Sequence, residues 1–348
     1  MDCTAMSAED HPPGADALVG DGAPALDVDP PAAEVRVARS SMQLSGLAIV
    51  LSACAPEKPA DSGEGVDHTP VDSGTPVETV RLATFNIEWL TADPLDGDMR
   101  RNDVDHAMIT DLIEHIDADV LLLQEVEGDA AVELLGLPSH YSWETGTTGW
   151  SQNLVLVWRA DRVSVTGIDE LNLPSVSGAS KEPLTAKVTA GALSFTVAGI
   201  HHAAFTDNES ARERLEQAQD LVTWIDDTLP DVYAGEASDN VVVLGDFNDT
   251  FEGLNTSYPS LPVFEDAGFV FTTRATDSYT QISYASLIDH IALSADLSAS
   301  WSEDGTPGGC HIEAHDQTSP WSDYTGGYRN TQNISDHRPV WIDLTLPR

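Results

Sequence analysis

Six short polar clusters carry the residue types with which proteins hydrolyse phosphate esters. They are Asn86-Ile87-Glu88, Gln124-Glu125, His201-His202, Gly245-Asp246-Phe247-Asn248, Asp289-His290 and Ser335-Asp336-His337. Five follow or adjoin an apolar run, and Asp289-His290 lies inside one. Carboxylates bind divalent cations, amides orient neighbouring groups, and imidazoles move protons near neutral pH. Because the clusters are far apart in the chain, only a fold can bring them together at a site for metal-assisted phosphate hydrolysis.

Three of these clusters allow reasoning from local geometry. Glu125 follows a buried strand, where an ionised carboxylate needs a cation, although a helix-capping Glu is the alternative. Asp246 and Asn248 are two residues apart, so an extended turn would aim both side chains at one point, although such a sequence is also typical of a simple turn. For His201 and His202, strand alternation sends one ring into the cleft and the other away.

The charge of the chain limits its partners. The 348 residues hold 16 Lys and Arg against 58 Asp and Glu, a net charge of -42, and residues 80–348 alone hold 13 against 44. Such a field attracts divalent cations and repels polyanions at long range, and it lacks the basic footprint of a tight nucleic-acid binder. The alternative interpretation is a soluble surface adapted to salt or to an extracellular setting.

A secretory signal is predicted at residues 35–54. Arg36 and Arg39 precede an apolar run over 42–54 that is too short to span a bilayer. The run ends in Leu51-Ser52-Ala53-Cys54, which resembles a bacterial lipobox and predicts lipidation at Cys54. The alternative is a buried helix with an incidental cysteine.

The remaining domain organisation follows from this signal. Residues 1–34 are acidic and patternless, which indicates a non-native or disordered extension before the true start. Residues 55–79 are rich in Pro, Gly, Ser and acidic residues, which is typical of a disordered linker. Residues 80–348 form the predicted catalytic domain. We therefore expect an exported cell-envelope lipoprotein, on the outer membrane or surface, that is monomeric and contacts membrane only through its lipid anchor.

The domain has more predicted strands than helices. Apolar or alternating runs predict strands at 80–85, 120–123, 154–158, 163–168, 184–189, 193–200, 241–244, 287–293 and 339–346. Helical periodicity predicts helices at 103–116 and 210–229, the second with a capping box of Thr206 and Glu209. This pattern favours an α+β fold in which two packed mixed β-sheets are flanked by helices, a four-layer α/β-sandwich.

Four motifs together resemble the endonuclease/exonuclease/phosphatase superfamily, which includes pancreatic deoxyribonuclease and neutral sphingomyelinases. They are Thr84-Phe85-Asn86-Ile87-Glu88, Leu123-Gln124-Glu125-Val126, Gly245-Asp246-Phe247-Asn248-Asp249 and Ile334-Ser335-Asp336-His337-Arg338-Pro339. Each motif alone is weak, but the four occur in the family's order and cover the whole domain. The resemblance implies a deoxyribonuclease-like four-layer sandwich and a Mg²⁺-dependent phosphodiester hydrolase, with Mn²⁺ or Ca²⁺ as other possible cofactors.

The resemblance also implies roles for individual residues. The implied metal ligands are Glu125, Asn86 and Asp336. The implied catalytic residues are His201, Asp246, Asn248, Asp289 and His337. Asp246 and Asn248 would orient water and a phosphate oxygen, while His337, held by Asp289, and His201 would offset charge in the transition state. His202 stays open as an alternative to His201.

The substrate stays open among three interpretations. The first is a non-specific extracellular nuclease, the second a phosphodiesterase or phosphatase acting on lipid or small phosphoesters, and the third a catalytically silent binding module. Residues 301–333 read as a long loop whose Trp321, Tyr324 and Tyr328 could stack bases, touch a membrane or pack as a rim. Cys310, His311 and His315 lack a clear fourth ligand for zinc.

Overall fold

The structure is a computed structural model that describes residues 79–92, 101–175, 181–303, 306–307, 309–323 and 334–346. All of them belong to one compact unit, Pro70–Arg348. The predicted extension, the signal with Cys54, and the linker up to residue 78 lie outside the described residues. Those predictions therefore stay predictions.

Fourteen strands and seven helices are described. The strands are β1 (Thr79–Leu90), β2 (Val120–Val126), β3 (Tyr141–Thr145), β4 (Asn153–Arg159), β5 (Ser164–Glu170), β6 (Leu184–Ala190), β7 (Leu193–His201), β8 (Val241–Asp246), β9 (Val270–Phe271), β10 (Asp289–Leu293), β11 (Ser302–Glu303), β12 (Thr306–Pro307), β13 (Cys310–Ile312) and β14 (Val340–Thr345). The helices are α1 (Asp103–Ile116), α2 (Asp129–Leu135), α3 (Asn208–Asp227), α4 (Leu229–Val232), α5 (Glu236–Asp239), α6 (Leu261–Asp266) and α7 (Ala295–Trp301).

The strands form two mixed sheets of six, in the orders β13-β14-β1-β2-β4-β3 and β5-β6-β7-β8-β10-β9, and β11 pairs with β12. Three apolar clusters show the layering. One lies between the sheets, one between the first sheet and α1 and α2, and one between the second sheet and α3 and α6. The sheets approach closely, since a Cβ added at Gly199 would lie 2.4 Å from Leu122 Cδ1. The predicted four-layer sandwich is confirmed.

The strand directions explain where the polar clusters meet. β1 runs parallel to β2, and β7 runs parallel to β8. The carboxyl ends of each pair therefore lie side by side. β14 and β10 run antiparallel to β1 and β8, so their amino ends reach the same edge. All six predicted clusters lie at this edge of the two sheets.

Some local predictions are wrong. The cap of α3 is Asp207, whose carboxylate accepts hydrogen bonds from the N–H groups of Glu209 and Ser210, instead of the box at Thr206. Within the predicted loop at 301–333, residues 310–312 form an edge strand, because they pair with β14. Trp321 is buried and donates from Nε1 to Asp111 Oδ2 at 3.1 Å, while Tyr324 and Tyr328 lie outside the described residues. Over the part of the chain that is described, a helix with the length and apolarity to span a membrane is absent.

Candidate active site

The parallel strand ends bring together two carboxylates, an amide and an imidazole. Asn86 Nδ2 donates to Glu125 Oε1 and to Asp246 Oδ2, at 3.1 Å each. His201 Nε2 lies 3.7 Å from Glu125 Oε1 and 3.8 Å from Asp246 Oδ2. Asn86 comes from β1, Glu125 from β2, His201 from β7 and Asp246 from β8. Side chains from both sheets therefore meet at one point.

Irregular backbone aims two of these side chains. The β1–β2 register shifts between Asn86 and Leu90, and Glu88 and Glu125 both have left-handed φ values, 54° and 63°. A bulge re-aims side chains next to a site. On β8, Gly245 has φ +144°, and an added Cβ would lie 2.0 Å from Ile200 O. Only glycine fits there, because β7 packs closely on β8 at the position before Asp246.

A second group forms where β14 and β10 begin. His337 Nδ1 lies 2.8 Å from Asp289 Oδ2, and both residues are buried. The backbone N–H of His337 donates to Ser335 Oγ at 2.9 Å, and Ser335 Oγ donates to Asn86 O at 2.6 Å. Thr280 Oγ1 accepts the N–H of Asp289 at 3.1 Å. The imidazole and its carboxylate are thus fixed to β1 and to each other.

Burial and neighbouring charges shift the pKa values in opposite directions. Burial alone would lower the pKa of the His337 imidazole, but the charge and hydrogen bond of Asp289 raise it well above its ordinary value, with help from Asp246 and Asp336. Burial, and then the charge of Asp289, raise the pKa of Asp246 to about 7, against the opposing charge of His337. The site therefore pairs a protonated imidazole with a carboxyl group that ionises near neutral pH.

The two adjacent histidines have different surroundings. His201 lies beside Glu125 and Asp246, and burial lowers its pKa well below 6.5, so the ring is neutral there. His202 packs on the aromatic cluster under the second sheet, with its ring centroid 5.8 Å from Phe247 and 6.4 Å from Phe264. Burial lowers the pKa of His202 to about 3. Strand alternation thus places His201 at the site and His202 behind it.

Of the two interpretations of the segment from Asp246 to Asn248, the structure has the simple turn and not the extended one. The φ of Asn248 is +50°, so its backbone N–H turns back and donates to Asp246 Oδ1 at 2.8 Å. Its Nδ2 donates to His202 O at 3.1 Å, and the residue is partly exposed. Nδ2 carries a second hydrogen, so this N–H and the amide oxygen both remain to interact at the cleft.

Asp336 is held in place by residues that the sequence did not single out for the site. Its backbone N–H donates to Glu88 Oε2 at 3.0 Å, and its Oδ2 accepts from Gln281 Nε2 at 3.1 Å. Its Oδ1 lies 3.8 Å from His337 Nε2. Glu88 was visible within the Asn-Ile-Glu cluster, but Gln281 stands in a segment with no pattern that could have identified it.

Two basic residues near the site were also missed. Arg101 is buried and donates to the carbonyl oxygens of Ile87 and Ile334, so it joins the last part of β1 to the segment before β14. Its charge interacts with Glu125, among other carboxylates. Burial lowers the pKa of Lys181, against the opposing charges of Glu125 and Asp246. Lys181 is one of three lysines in the chain, a scarcity that could have drawn attention to it.

The donor set fits a hard divalent cation. Ligand atoms of Asp246, Asp289 and His337 lie within 4.8 Å of one another, but His337 Nδ1 is hydrogen-bonded to Asp289. His337 and Asp289 therefore have the contacts of an acid–base pair, and Asp246 is a second carboxylate beside them. Glu125, whose side chain is 14% exposed, and Asp336, at 18%, offer accessible carboxylate oxygens. Hard divalent cations such as Mg²⁺ take one or two carboxylates and keep several waters, so carboxylates of this kind suit them as ligands.

The two-sheet sandwich thus carries carboxylates, amides and a His–Asp pair at one edge. The family model that matches residues 83–337 is described as the Endonuclease/Exonuclease/phosphatase family. The chain belongs to this family. Enzymes of the family depend on divalent metal ions. No curated protein sequence matches the chain.

Solved structures of the same fold are similar to the chain at low sequence identity. A humanized TDP2 from D. rerio is 19% identical, with a TM-score of 0.56 over 78% of this chain and 100% of its own. An endonuclease/exonuclease/phosphatase from Bacteroides vulgatus is 17% identical, with a TM-score of 0.54 over 77% and 99%. The human Nocturnin catalytic domain with bound sulfate is 15% identical, with a TM-score of 0.51 over 78% and 94%. At these identities the likeness shows the fold alone.

Proposed function

We propose that the chain is a Mg²⁺-dependent phosphodiesterase that cleaves extracellular nucleic acid without sequence preference. One observation carries the proposal. The ends of six strands converge on a single cluster of carboxylates, amides and imidazoles, which are Asn86, Glu125, His201, Asp246, Asn248, Asp289, Asp336 and His337. This set combines cation ligands with a water-activating carboxylate and a charged donor, which phosphodiester hydrolysis requires.

Glu125 and Asp336 would hold the cation, with Asn86 beside them. A bound Mg²⁺ supplies Lewis-acid polarisation of a phosphoryl oxygen. Mn²⁺ or Ca²⁺ would fit the same oxygen donors. Asn86 binds two carboxylates through one amide nitrogen, so it fixes the distance between Glu125 and Asp246.

Asp246 positions the attacking water and takes up its proton. Its pKa of about 7 suits a base that works near neutral pH. The neutral His201, whose Nε2 lies 3.8 Å from Asp246 Oδ2, would donate a hydrogen bond from Nε2 to a phosphate oxygen, while the protonated His337, held by Asp289, would place positive charge beside the phosphate. Both offset the negative charge that develops in the transition state. Asn248 contacts a phosphate oxygen or the water at the mouth of the cleft.

Nucleic acid is supported as substrate by a relative of the same fold. The TDP2 of D. rerio was solved with a single-strand DNA product, at 16% identity and a TM-score of 0.55. The net charge of residues 80–348 favours the second candidate, a phosphodiesterase or phosphatase acting on lipid or small phosphoesters, because 13 basic residues against 44 acidic ones repel polyanions. A silent binding module is the candidate of another class.

One set of assays separates the three. The purified domain, residues 80–348, is incubated with Mg²⁺ and plasmid DNA, RNA, sphingomyelin or bis-(p-nitrophenyl) phosphate. DNA or RNA cleavage supports the nuclease, and turnover of lipid alone supports the second candidate. Silence on every substrate, together with metal binding, supports the module and contradicts hydrolysis.

Export is proposed from the sequence of residues 35–54. The protein would be a monomeric cell-envelope lipoprotein, attached through a lipid on Cys54. Mass spectrometry of the native N-terminus tests this directly. A diacylglyceryl-modified cysteine at the first position supports export, and an unmodified peptide that spans Cys54 contradicts it.

A further inference from the structure

A cavity of about 690 Å³ opens directly beside the catalytic residues. His337 and Asn248 line one end of it, while Leu254 and Ile288 contribute apolar wall. Among the described residues that line the cavity, lysine and arginine are absent and the one carboxylate is Asp207. Apart from His337 and Asp207 the described lining is uncharged, so a group that enters beside the phosphate is bound mainly through apolar and neutral polar contacts.

One rim of the cavity is Phe205, which is 77% exposed. A large apolar ring in this position requires structural support, because it gains little from burial. Phe205 has φ +73°, an uncommon value for a bulky residue. The fully buried Arg214 donates from Nη1 to Ala203 O at 2.9 Å and to Phe205 O. The guanidinium thus holds the loop so that the ring stays in solvent.

The second aromatic ring of the cavity wall is Tyr284, which is 83% exposed. The backbone N–H of Tyr284 donates to Gln281 Oε1 at 2.7 Å. The side chain of Gln281 in turn donates from Nε2 to Asp336 Oδ2 at 3.1 Å. Gln281 also pairs through its backbone with Ser286 and with His337. The loop that carries Tyr284 is therefore fixed to the active site itself.

We propose that Phe205 and Tyr284 form a stacking subsite that binds a nucleobase of single-stranded nucleic acid adjacent to the phosphate at His337. The inference rests on the proposed phosphodiesterase function and specifies its substrate. Aromatic rings bind any base by stacking, which gives affinity without sequence preference. The backbone that carries each ring is held in advance by partly buried hydrogen bonds, so little loop entropy is lost when a base binds.

Charge favours a short single strand over a duplex. A duplex would bring a dense array of phosphates toward a domain with 13 basic and 44 acidic residues, which costs electrostatic energy at every phosphate. A strand that stacks its bases on Phe205 and Tyr284 gains affinity from the part of the nucleotide that carries no charge. The stacking subsite thus explains how an acidic protein binds this substrate.

Equilibrium binding tests the subsite without requiring turnover. Fluorescein-labelled thymidine hexamer and a hexamer of base-free tetrahydrofuran residues are titrated with the domain in EDTA, by fluorescence anisotropy. The two oligomers carry the same phosphates and differ only in their bases. We expect tighter binding of the thymidine hexamer, and we expect Phe205→Ala and Tyr284→Ala each to raise its Kd about 10-fold relative to that of the base-free hexamer.

Matched variants separate stacking from a general loss of structure. Phe205→Tyr and Tyr284→Phe keep the rings and should keep the preference. Val232→Ala removes another exposed apolar side chain, on α4, and should change neither Kd. Equal affinity for the two hexamers, or an equal effect of the alanine variants on both, overturns the subsite. So does selective loss of sphingomyelin turnover in those variants, which would assign the cavity to lipid.

Failure of the proposed function gives a different result. Hydrolysis of bis-(p-nitrophenyl) phosphate is measured on the same preparations with Mg²⁺. If wild-type protein prefers the thymidine hexamer but hydrolyses no diester, the subsite stands and the phosphodiesterase fails. If it hydrolyses the diester but binds the two hexamers equally, the phosphodiesterase stands and the subsite fails.

Discussion

The pair of His337 and Asp289 is the part of the site whose contribution can be worked out most directly. Asp289→Asn keeps the size of the side chain. It also keeps the hydrogen bond from the backbone N–H of residue 289 to Thr280 Oγ1, because the side chain of residue 289 takes no part in that bond. It removes a negative charge 2.8 Å from His337 Nδ1. That charge and its hydrogen bond are the interactions of Asp289 that raise the pKa of His337, so the variant should hold a neutral imidazole over much of the working pH range.

The size of the effect follows from the burial of the pair. Both residues are under a tenth exposed, so solvent does not screen the lost charge. A positioned acid or base contributes about 10²–10⁴-fold to rate, and we expect kcat to fall by that factor. Leaving a buried charge without its partner typically lowers the free energy of unfolding by roughly 3–5 kcal/mol. The loss in Asp289→Asn should be smaller, because His337 can release its proton and become neutral.

The assay is steady-state hydrolysis of bis-(p-nitrophenyl) phosphate across a pH series, with saturating Mg²⁺. His337→Gln and the double variant complete a cycle, in which the double variant should be no slower than His337→Gln alone. Asp316→Asn is the matched control, since it removes the charge from the partly buried pair of Asp316 Oδ1 with Arg338 Nε, 2.7 Å apart, outside the catalytic cluster. A fall in kcat of less than about 10-fold for Asp289→Asn, or losses that simply add in the cycle, would refute the assigned partnership.

Three further predictions concern residues of the second sheet. Gly245→Ala should prevent folding or lower the melting temperature sharply in calorimetry, because its Cβ would lie 2.0 Å from Ile200 O; near-wild-type melting would contradict the packing. His201→Ala should lower kcat about 100-fold with little change in melting, while His202→Ala should lower the melting temperature and leave the folded protein active; the reverse pattern would exchange the two rings. Burial lowers the pKa of His290 from 6.5 to about 4. As the pH falls, this imidazole is therefore protonated in the unfolded chain before it is protonated in the folded one. The free energy of unfolding should fall by roughly 3 kcal/mol between pH 6.5 and pH 4 because of this ring. His290→Phe should flatten that part of the urea-denaturation profile, and an unchanged slope would contradict the shift.

Much of the architecture could be predicted, because apolar periodicity reports which strands are buried on both faces. The runs at 120–123 and 241–244 predicted the two buried strands whose ends carry Glu125 and Asp246, and both strands are observed. The short edge strand at 310–312 could not be predicted, because its pairing with β14 is a long-range contact and leaves no periodic pattern in three residues.

The site was predictable where a polar residue follows an apolar run, and less so where the backbone turns. The sequence leaves an extended and a simple turn open at Asn248, and the structure has the simple turn, in which a left-handed φ accompanies the hydrogen bond from the N–H of Asn248 to Asp246 Oδ1. The sequence leaves exposed and packed rings open for 301–333. Among the described residues Trp321 is buried against α1, while Phe205 and Tyr284 are the rings exposed beside the cavity. Exposure of an aromatic residue in a loop depends on the packing of distant elements, which the local sequence does not record.

One cation-dependent site, built from the strand ends of both sheets, is proposed to cleave phosphodiesters. Hydrolysis of bis-(p-nitrophenyl) phosphate by the wild-type domain and by Glu125→Gln, first in EDTA and then with added Mg²⁺, tests it most directly. We predict that EDTA abolishes wild-type hydrolysis, that Mg²⁺ restores it, and that Glu125→Gln stays at least about 100-fold slower at every Mg²⁺ concentration. Wild-type hydrolysis that persists in EDTA, or a Glu125→Gln variant as active as wild type, would contradict the account.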